Sequence, residues 1–435
     1  MRKLTPGPAR RSAVRRGAAL GAAAALVVGL TAACGNGSGS SQTALGKDDV
    51  LTITTFGDFG YDDLIKTWNA DPNRPFTVHQ TTIAQWDTWK KTLTSDLQAG
   101  TGLTDIVAIE GDSMPQFLAD GASDQFVDLT DSSVATRWVD YKYKAGQTSS
   151  GEQIGYPTDA GPEAFCYRQD LFQKAGLPSS PQAVKSIFSS WDSYFQAGEQ
   201  LVKKLPNTKW YDSSGSIAQA MLNQTEFPFQ TADNTVAVDN DGLKAVFTTV
   251  AEHAPTLSTK TVQWSDDWTA NFTNDGFATI PCPGWMFANI KSSAPDVKGW
   301  NIVDAFPGGG GNWGGSFLAV PQQSQHQAEA KQFAAWLTDK DQELGAFKAA
   351  GAYPANLAAE QSLSQANATD AYFNNAPTSK ILADRAAAVK PNLPYKGDKY
   401  SDILGLFQTA IQRVDEGTPA TSSWNTFVQA VASLS

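Results

Sequence analysis

Gly276-Phe277-Ala278-Thr279-Ile280-Pro281-Cys282-Pro283-Gly284-Trp285-Met286-Phe287-Ala288-Asn289-Ile290 is the stretch from which the fold is read. Phe277 to Ile280 is short and apolar, as a buried strand requires. Pro281-Cys282-Pro283-Gly284 then makes a rigid turn, and the residues beyond it can start a helix. The two prolines fix φ, and Gly284 has access to backbone angles closed to other residues. An aromatic directly after such a turn stands at the mouth of the sheet, where open α/β folds take their ligands. Trp285 is therefore a candidate ligand contact, with core packing as the plainer alternative.

On either side of this stretch the same chemistry repeats. Trp264, Asp266, Asp267 and Trp268 precede it. Adjacent acids rarely face one point, so Asp266 and Asp267 fit a helix N-terminus better than a catalytic pair. Trp300 to Phe306 reads as a strand, followed by Pro307-Gly308-Gly309-Gly310-Gly311-Asn312-Trp313-Gly314-Gly315. A glycine run inside a folded domain marks a mobile loop or a close backbone approach. Trp313 has no regular element of its own there, which suggests a ligand or hinge role.

Further out, Leu51 to Phe56 reads as a first strand and Asp62 to Trp68 as a helix. The loop between them places Asp58, Phe59 and Tyr61 at a strand end, without the glycine spacing or lysine of a phosphate loop. In the helix Trp86 to Ala99, Trp89, Leu93 and Leu97 share one face, so Trp89 is core and Trp86 the ligand candidate. Thr104 to Ile109 is a strand ending in Glu110-Gly111-Asp112-Ser113. Glu110 and Asp112 can face a cleft, although Asp112 or Ser113 can equally cap the next helix. Alternating strands and helices describe a parallel α/β sheet. Tyr156 to Pro162 is rich in turn formers and suits a crossing between domains. Val184 to Tyr194 reads as one helix, Trp210 as a stacking platform ahead of a helix, and Glu226 as an acid beside Phe227 and Phe229.

The first 33 residues read as an export signal: six basic residues, an apolar stretch from Gly17 to Leu30, then Leu30-Thr31-Ala32-Ala33-Cys34. The order fits lipoprotein processing, with lipid added to Cys34, and the paired arginines leave a twin-arginine route open. Gly35 to Gln42 is a flexible tether. Lipid on one cysteine would hold a folded protein at the outer face of the cell membrane. Beyond the signal, 27 basic residues stand against 44 acidic ones, which argues against a nucleic-acid partner. The remaining chain, about 400 residues, is too long for one core and comfortable for two. Cys166 and Cys282 would be exported to an oxidising compartment, where a disulfide between them would add about 2–4 kcal/mol. His79, His253 and His326 are widely separated, so neither a metal site nor a cofactor is expected.

Asp105-Ile106, the segment Tyr167 to Leu177 and Pro283-Gly284-Trp285 together resemble the solute-binding lipoproteins of bacterial ABC importers, in the oligosaccharide-binding class that includes maltose- and cellobiose-type proteins. Gly315 to Pro321 and Gly351-Ala352-Tyr353-Pro354 extend the resemblance in the same order. It implies an α/β, two-lobe periplasmic-binding-protein-like fold with a hinge and a ligand cleft between the lobes. Residues 43–157 with 312–354 would form the first lobe, and 158–311 with 355–435 the second. It also implies a monomer that delivers sugar to the permease subunits. Trp285 matches a sugar-stacking tryptophan, Asp112 an acid near sugar hydroxyls, and Glu226 a member of an acid–aromatic pair. Asp58 to Tyr61 and Trp86 lie where cello-oligosaccharide-type relatives touch their ligand.

The chemistry of a pyranose agrees. Flat aromatics cover its C–H face, and carboxylates accept charge-assisted hydrogen bonds from its hydroxyls. Of 13 tryptophans, Trp86, Trp210, Trp264, Trp285 and Trp313 sit beside loops that also carry acids. The expected ligand contacts are thus Asp58, Phe59, Tyr61, Trp86, Glu110, Asp112, Trp210, Glu226, Trp264, Trp285 and Trp313. A lipid-anchored glycoside hydrolase would show the same residue types around two spaced carboxylates. No acid pair with that context stands out, so no catalytic activity is expected.

Overall fold

The computed structural model describes residues 44–119, 121–366, 368–389 and 394–434. The export signal, Cys34, the tether and Pro391 lie outside the described residues. Among the described residues nine strands form two sheets: β1 (Val50–Phe56), β2 (Thr77–Ile83), β3 (Ile106–Glu110), β4 (Gly155–Pro157), β5 (Phe165–Arg168), β6 (Lys209–Tyr211), β7 (Phe277–Pro281), β8 (Trp300–Val303) and β9 (Ser316–Ala319). The first sheet runs β2-β1-β3-β9-β4 and the second β6-β7-β5-β8. Each sheet forms the centre of one lobe.

In the first lobe β1 is parallel to β2 and β3, as the strand–helix alternation predicts. The expectation of a wholly parallel sheet is corrected at β9, which returns from the other lobe and pairs antiparallel with β3 and β4. Helices cover both faces. Ile106 and Ala108 of β3 join a core with Leu51, Phe333 and Leu337, while Val107 and Ile109 join another with Trp89, Leu93 and Leu97. This two-sided burial is why β3 reads as an unbroken apolar run. The helix Trp86–Ala99 buries the Trp89-Leu93-Leu97 face and ends at Gly100, whose φ of 67° suits a glycine.

In the second lobe β5 lies antiparallel between β7 and β8, and β6 runs parallel to β7. Cys166 of β5 and Cys282, just past β7, form a disulfide with Cα atoms 5.4 Å apart. Both are fully buried, and Cys282 N–H also donates to Ala164 O at 2.8 Å. The expected single helix from Val184 to Tyr194 is instead two elements. A 3-10 turn, Val184–Ser189, precedes the helix Trp191–Lys204, whose N-terminus is fixed by a reciprocal Ser190–Ser193 capping box.

Three segments cross between the lobes and lie side by side. Ala160 N–H donates to Tyr353 O at 2.7 Å, Trp313 N–H to Gly161 O at 2.8 Å, and Glu163 N–H to Gly311 O at 3.0 Å. Gly161 is required by proximity, since a Cβ there would lie 1.8 Å from Trp313 O. The reading of Gly284 is refined in the same way. Its φ is ordinary, but a Cβ would lie 2.2 Å from Gly351 O. The turn after β7 is thereby pressed against the third crossing, which fixes where Trp285 begins.

Candidate functional site

Past the end of β7 three tryptophans assemble. Trp285 is half-buried; its Nε1–H donates to Trp313 O at 3.2 Å, and the two rings meet edge to face at 5.2 Å. On its other side Trp264 lies 6.1 Å away, 39% exposed. Trp264 holds a φ of 70°, an uncommon backbone state for a bulky residue, in the turn before the helix Asp266–Asn271. Beneath it is Trp268, 4.9 Å from the Trp264 ring and itself buried. Trp268 Nε1–H donates to Asp212 Oδ2 at 2.8 Å. Burial pushes the Asp212 carboxyl up to about 7, against hydrogen bonds from Ser216 and Trp268. Asp266 and Asp267 occupy the first turn of that helix, while Ser265 supplies its cap.

Glu110 ends β3 in the facing lobe, and Asp112 follows two residues later. A side chain on Gly314 would start 3.5 Å from Glu110 Oε1 and 4.0 Å from Trp285 Nε1, so acid and tryptophan converge at that glycine. Glu110 accepts from the backbone N–H of Asp112 at 2.9 Å and of Ser113 at 3.1 Å. Burial and the neighbouring Asp112 carboxylate push Glu110 up to about 8. The expectation that Asp112 or Ser113 caps the next helix is corrected: neither side chain does. Asp112 instead forms an ion pair with Lys396, which precedes the second-lobe helix Tyr400–Asp415, and its Oδ2 accepts weakly from Gln219 at 3.5 Å. Ser113 Oγ–H donates to Ser401 at 3.0 Å, and Lys90 reaches Asp402 at 3.3 Å. The lobes therefore touch through their charged rims.

The other candidates divide. Trp86 is half-buried at the cleft rim, its Nε1–H on Ser113 Oγ at 3.1 Å and its ring 4.9 Å from Phe56. Phe59 packs on Phe56 at 5.2 Å, and exposed Asp58 accepts from Gly60 N–H at 2.8 Å, closing its own turn. Tyr61 is corrected: only 3% exposed, it belongs to the core of the first lobe. Trp210 is corrected as well. It is the middle residue of β6, fully buried, stacked on Phe172 at 5.2 Å, with Gly198 leaving room for its ring. Glu226 is exposed beside Phe227, whereas Phe229 is core.

A cavity of about 1050 Å³ opens between the lobes, lined by Gly111, Tyr141 and Lys142 on one side and Glu226, Tyr395 and Lys396 on the other. Among the expected contacts only Glu226 lines it. The sequence reading missed the lysines and Gln219. Nothing in Asp140-Tyr141-Lys142-Tyr143-Lys144 signals that its middle lysine is buried. Among the described residues no group of three His, Cys, Asp or Glu side chains could hold a metal ion.

Residues 63–375 match the model of a family described as bacterial extracellular solute-binding protein, and the chain belongs to that family. It is similar, at 26% identity over 63% of this chain and 63% of the relative, to an arabinooligosaccharide-binding protein of Halalkalibacterium halodurans. That match spans less than two thirds of the relative's length. A crystal structure of an extracellular solute-binding protein, family 1, shares 39% identity with a TM-score of 0.78, covering 88% of this chain and 98% of that one. The binding protein of an ABC transporter from B. animalis subsp. lactis, in complex with β-1,6-galactobiose, shares the fold at a TM-score of 0.76, with 22% identity and coverage of 88% and 97%. The two-lobe solute-binding architecture is thus shared across these proteins.

Proposed function

We propose that this chain captures an oligosaccharide between its lobes and passes it to an ABC import permease without breaking a bond. The observation that carries the reading is the convergence of Trp285 and Glu110 on Gly314, between one lobe's tryptophans and the other lobe's acids. Ring faces and carboxylates are what a pyranose needs. Relatives that bind arabinooligosaccharide and β-1,6-galactobiose favour a short oligosaccharide. The hydrolase reading loses support because Glu110 serves its own turn and Asp112 is paired with Lys396, so these two acids are not a free pair.

The lobes are assigned as residues 43–157 with 312–354 and 158–311 with 355–435. Sheet membership supports this, as does the packing of Leu363, Ile381 and Leu382 on the second sheet's core. Lipid on Cys34 and a monomer at the outer membrane face complete the proposal; among the described residues no helix is long and apolar enough to cross a membrane. Melting of the lipid-free chain against a panel of arabino-, galacto- and xylo-oligosaccharides tests it, with released sugars followed in parallel. A ligand at one hundred times its Kd should add about 2.7 kcal/mol. Appearance of shorter sugars would convert the chain into a hydrolase, and an unmoved melting curve across the panel would remove the sugar.

A further inference from the structure

The wall of the interlobe cavity contains a buried cation that makes no ion pair among the described residues. Three lysines line this cavity: Lys142, Lys144 and Lys396. Lys144 pairs with Asp140 at 2.8 Å and Lys396 with Asp112. Lys142 has no ion pair among the described residues, yet it is only 3% exposed. Its ammonium makes one long hydrogen bond, to Gly314 O at 3.5 Å, and lies 4.4 Å from the centre of the Phe317 ring. An ammonium carries three donors, so two are unused. Gly315 is shaped around it, because a Cβ there would lie 2.6 Å from Lys142 Nζ. Asp159, the acid whose charge most favours the Lys142 ammonium, makes no ion pair with it; its Oδ1 accepts from Thr158 Oγ–H at 2.7 Å and from Ser316 N–H at 2.8 Å.

A buried charge held without a direct ion pair is costly, and the chain keeps this one at the wall of a ligand-sized space. We infer that the cavity accepts an oligosaccharide bearing a carboxylate, a uronic acid unit, whose charge is met by the Lys142 ammonium. The inference rests on the sugar-binding reading above and narrows its substrate class. A carboxylate supplies a direct ion-pair partner, which a neutral hydroxyl does not. Beside it, Asn312 lines the cavity and accepts weakly from Tyr141 O–H at 3.4 Å, so further polar groups are at hand for the ring hydroxyls. A phosphate would call for more donors than Lys142 offers, since Lys144 and Lys396 are already paired. The state of Lys142 agrees. Burial lowers it to about 8, helped by the Lys396 charge, while Asp159, Glu110 and Asp112 act in the opposite direction.

The test is calorimetric titration of the lipid-free chain with the same arabino-, galacto- and xylo-oligosaccharides, each in neutral form and carrying one glucuronic acid. In the wild type at least one acidic member should bind about tenfold or more tightly than its neutral counterpart. Lys142→Met should collapse that ratio towards one, and Lys142→Arg should keep part of it. Equal or tighter binding of every neutral member would overturn the inference and leave the sugar-binding reading standing. Binding of neither series would overturn both. An acid preference that survives Lys142→Met would also refute the assignment, and the wild-type ratio decides by itself if that variant does not fold.

Discussion

Trp210 and Trp285 belong to neighbouring strands of one sheet and differ in where they fall along them. Trp210 lies within β6, sealed between Phe172, Tyr194 and Gly198. Trp285 lies just beyond β7, where the sheet has ended and the other lobe begins. Both sit beside turn-forming residues, so turn signals alone do not separate them. The position of the strand end does. A ring within a strand is committed to packing, and a ring past its end is available to a ligand.

Substitutions can break or sharpen that contrast. Trp210→Ala should produce the largest change in stability, about 3–5 kcal/mol on denaturant unfolding, because a fully buried ring leaves a cavity. Sugar affinity per folded molecule should be unchanged; a parallel loss of affinity would place Trp210 in the site after all. Replacing Cys166 and Cys282 together by alanine comes next, with a loss of about 2–4 kcal/mol. Because Cys282 lies in the turn that leads to Trp285, sugar binding should weaken as well. Full affinity in the bridge-free protein would mean that packing of Gly284 on Gly351 is enough to hold the turn.

Asp212 tests the support under the tryptophans. The folded chain holds a proton on this carboxyl up to about pH 7, whereas the unfolded chain releases it near pH 4. Folding therefore takes up a proton between those values, and this contribution to stability is full below pH 4 and lost as pH rises to about 7. The slope is on the order of 1 kcal/mol per pH unit. Asp212→Asn should flatten that part of the stability–pH curve, and an unaltered slope would show that Asp212 is ionised in the fold. The smallest effect is expected at the rim. Asp402→Asn removes a half-exposed partner of Lys90 and should cost less than about 1 kcal/mol.

Much of the architecture was legible because it rests on periodicity and punctuation. The Trp89-Leu93-Leu97 face and the strand–turn–helix at Pro281 to Met286 are both local patterns. The Cys166–Cys282 bridge was expected from the export reading of the first 33 residues and from the two cysteines beyond Cys34. Short strands were harder. β4 and β6 have three residues each, too few for alternation to show, and that is how Trp210 came to be read as a loop residue. Partner choice was harder still. Asp112 meets Lys396 across 284 positions of sequence, and Lys142 is buried by Gly315 and Phe317 from a different crossing. Such contacts are set by how the lobes meet, which no local pattern records.

The central claim is that the tryptophans past β7 bind sugar. It is tested most directly by titrating wild type and Trp285→Ala side by side with the oligosaccharide that gives the largest melting shift. The account predicts saturable binding by the wild type and a loss of about 1.5 kcal/mol or more, tenfold or greater in Kd, in a variant with an unchanged unfolding midpoint. Equal affinity in the two proteins would contradict it and move the ligand away from Trp285.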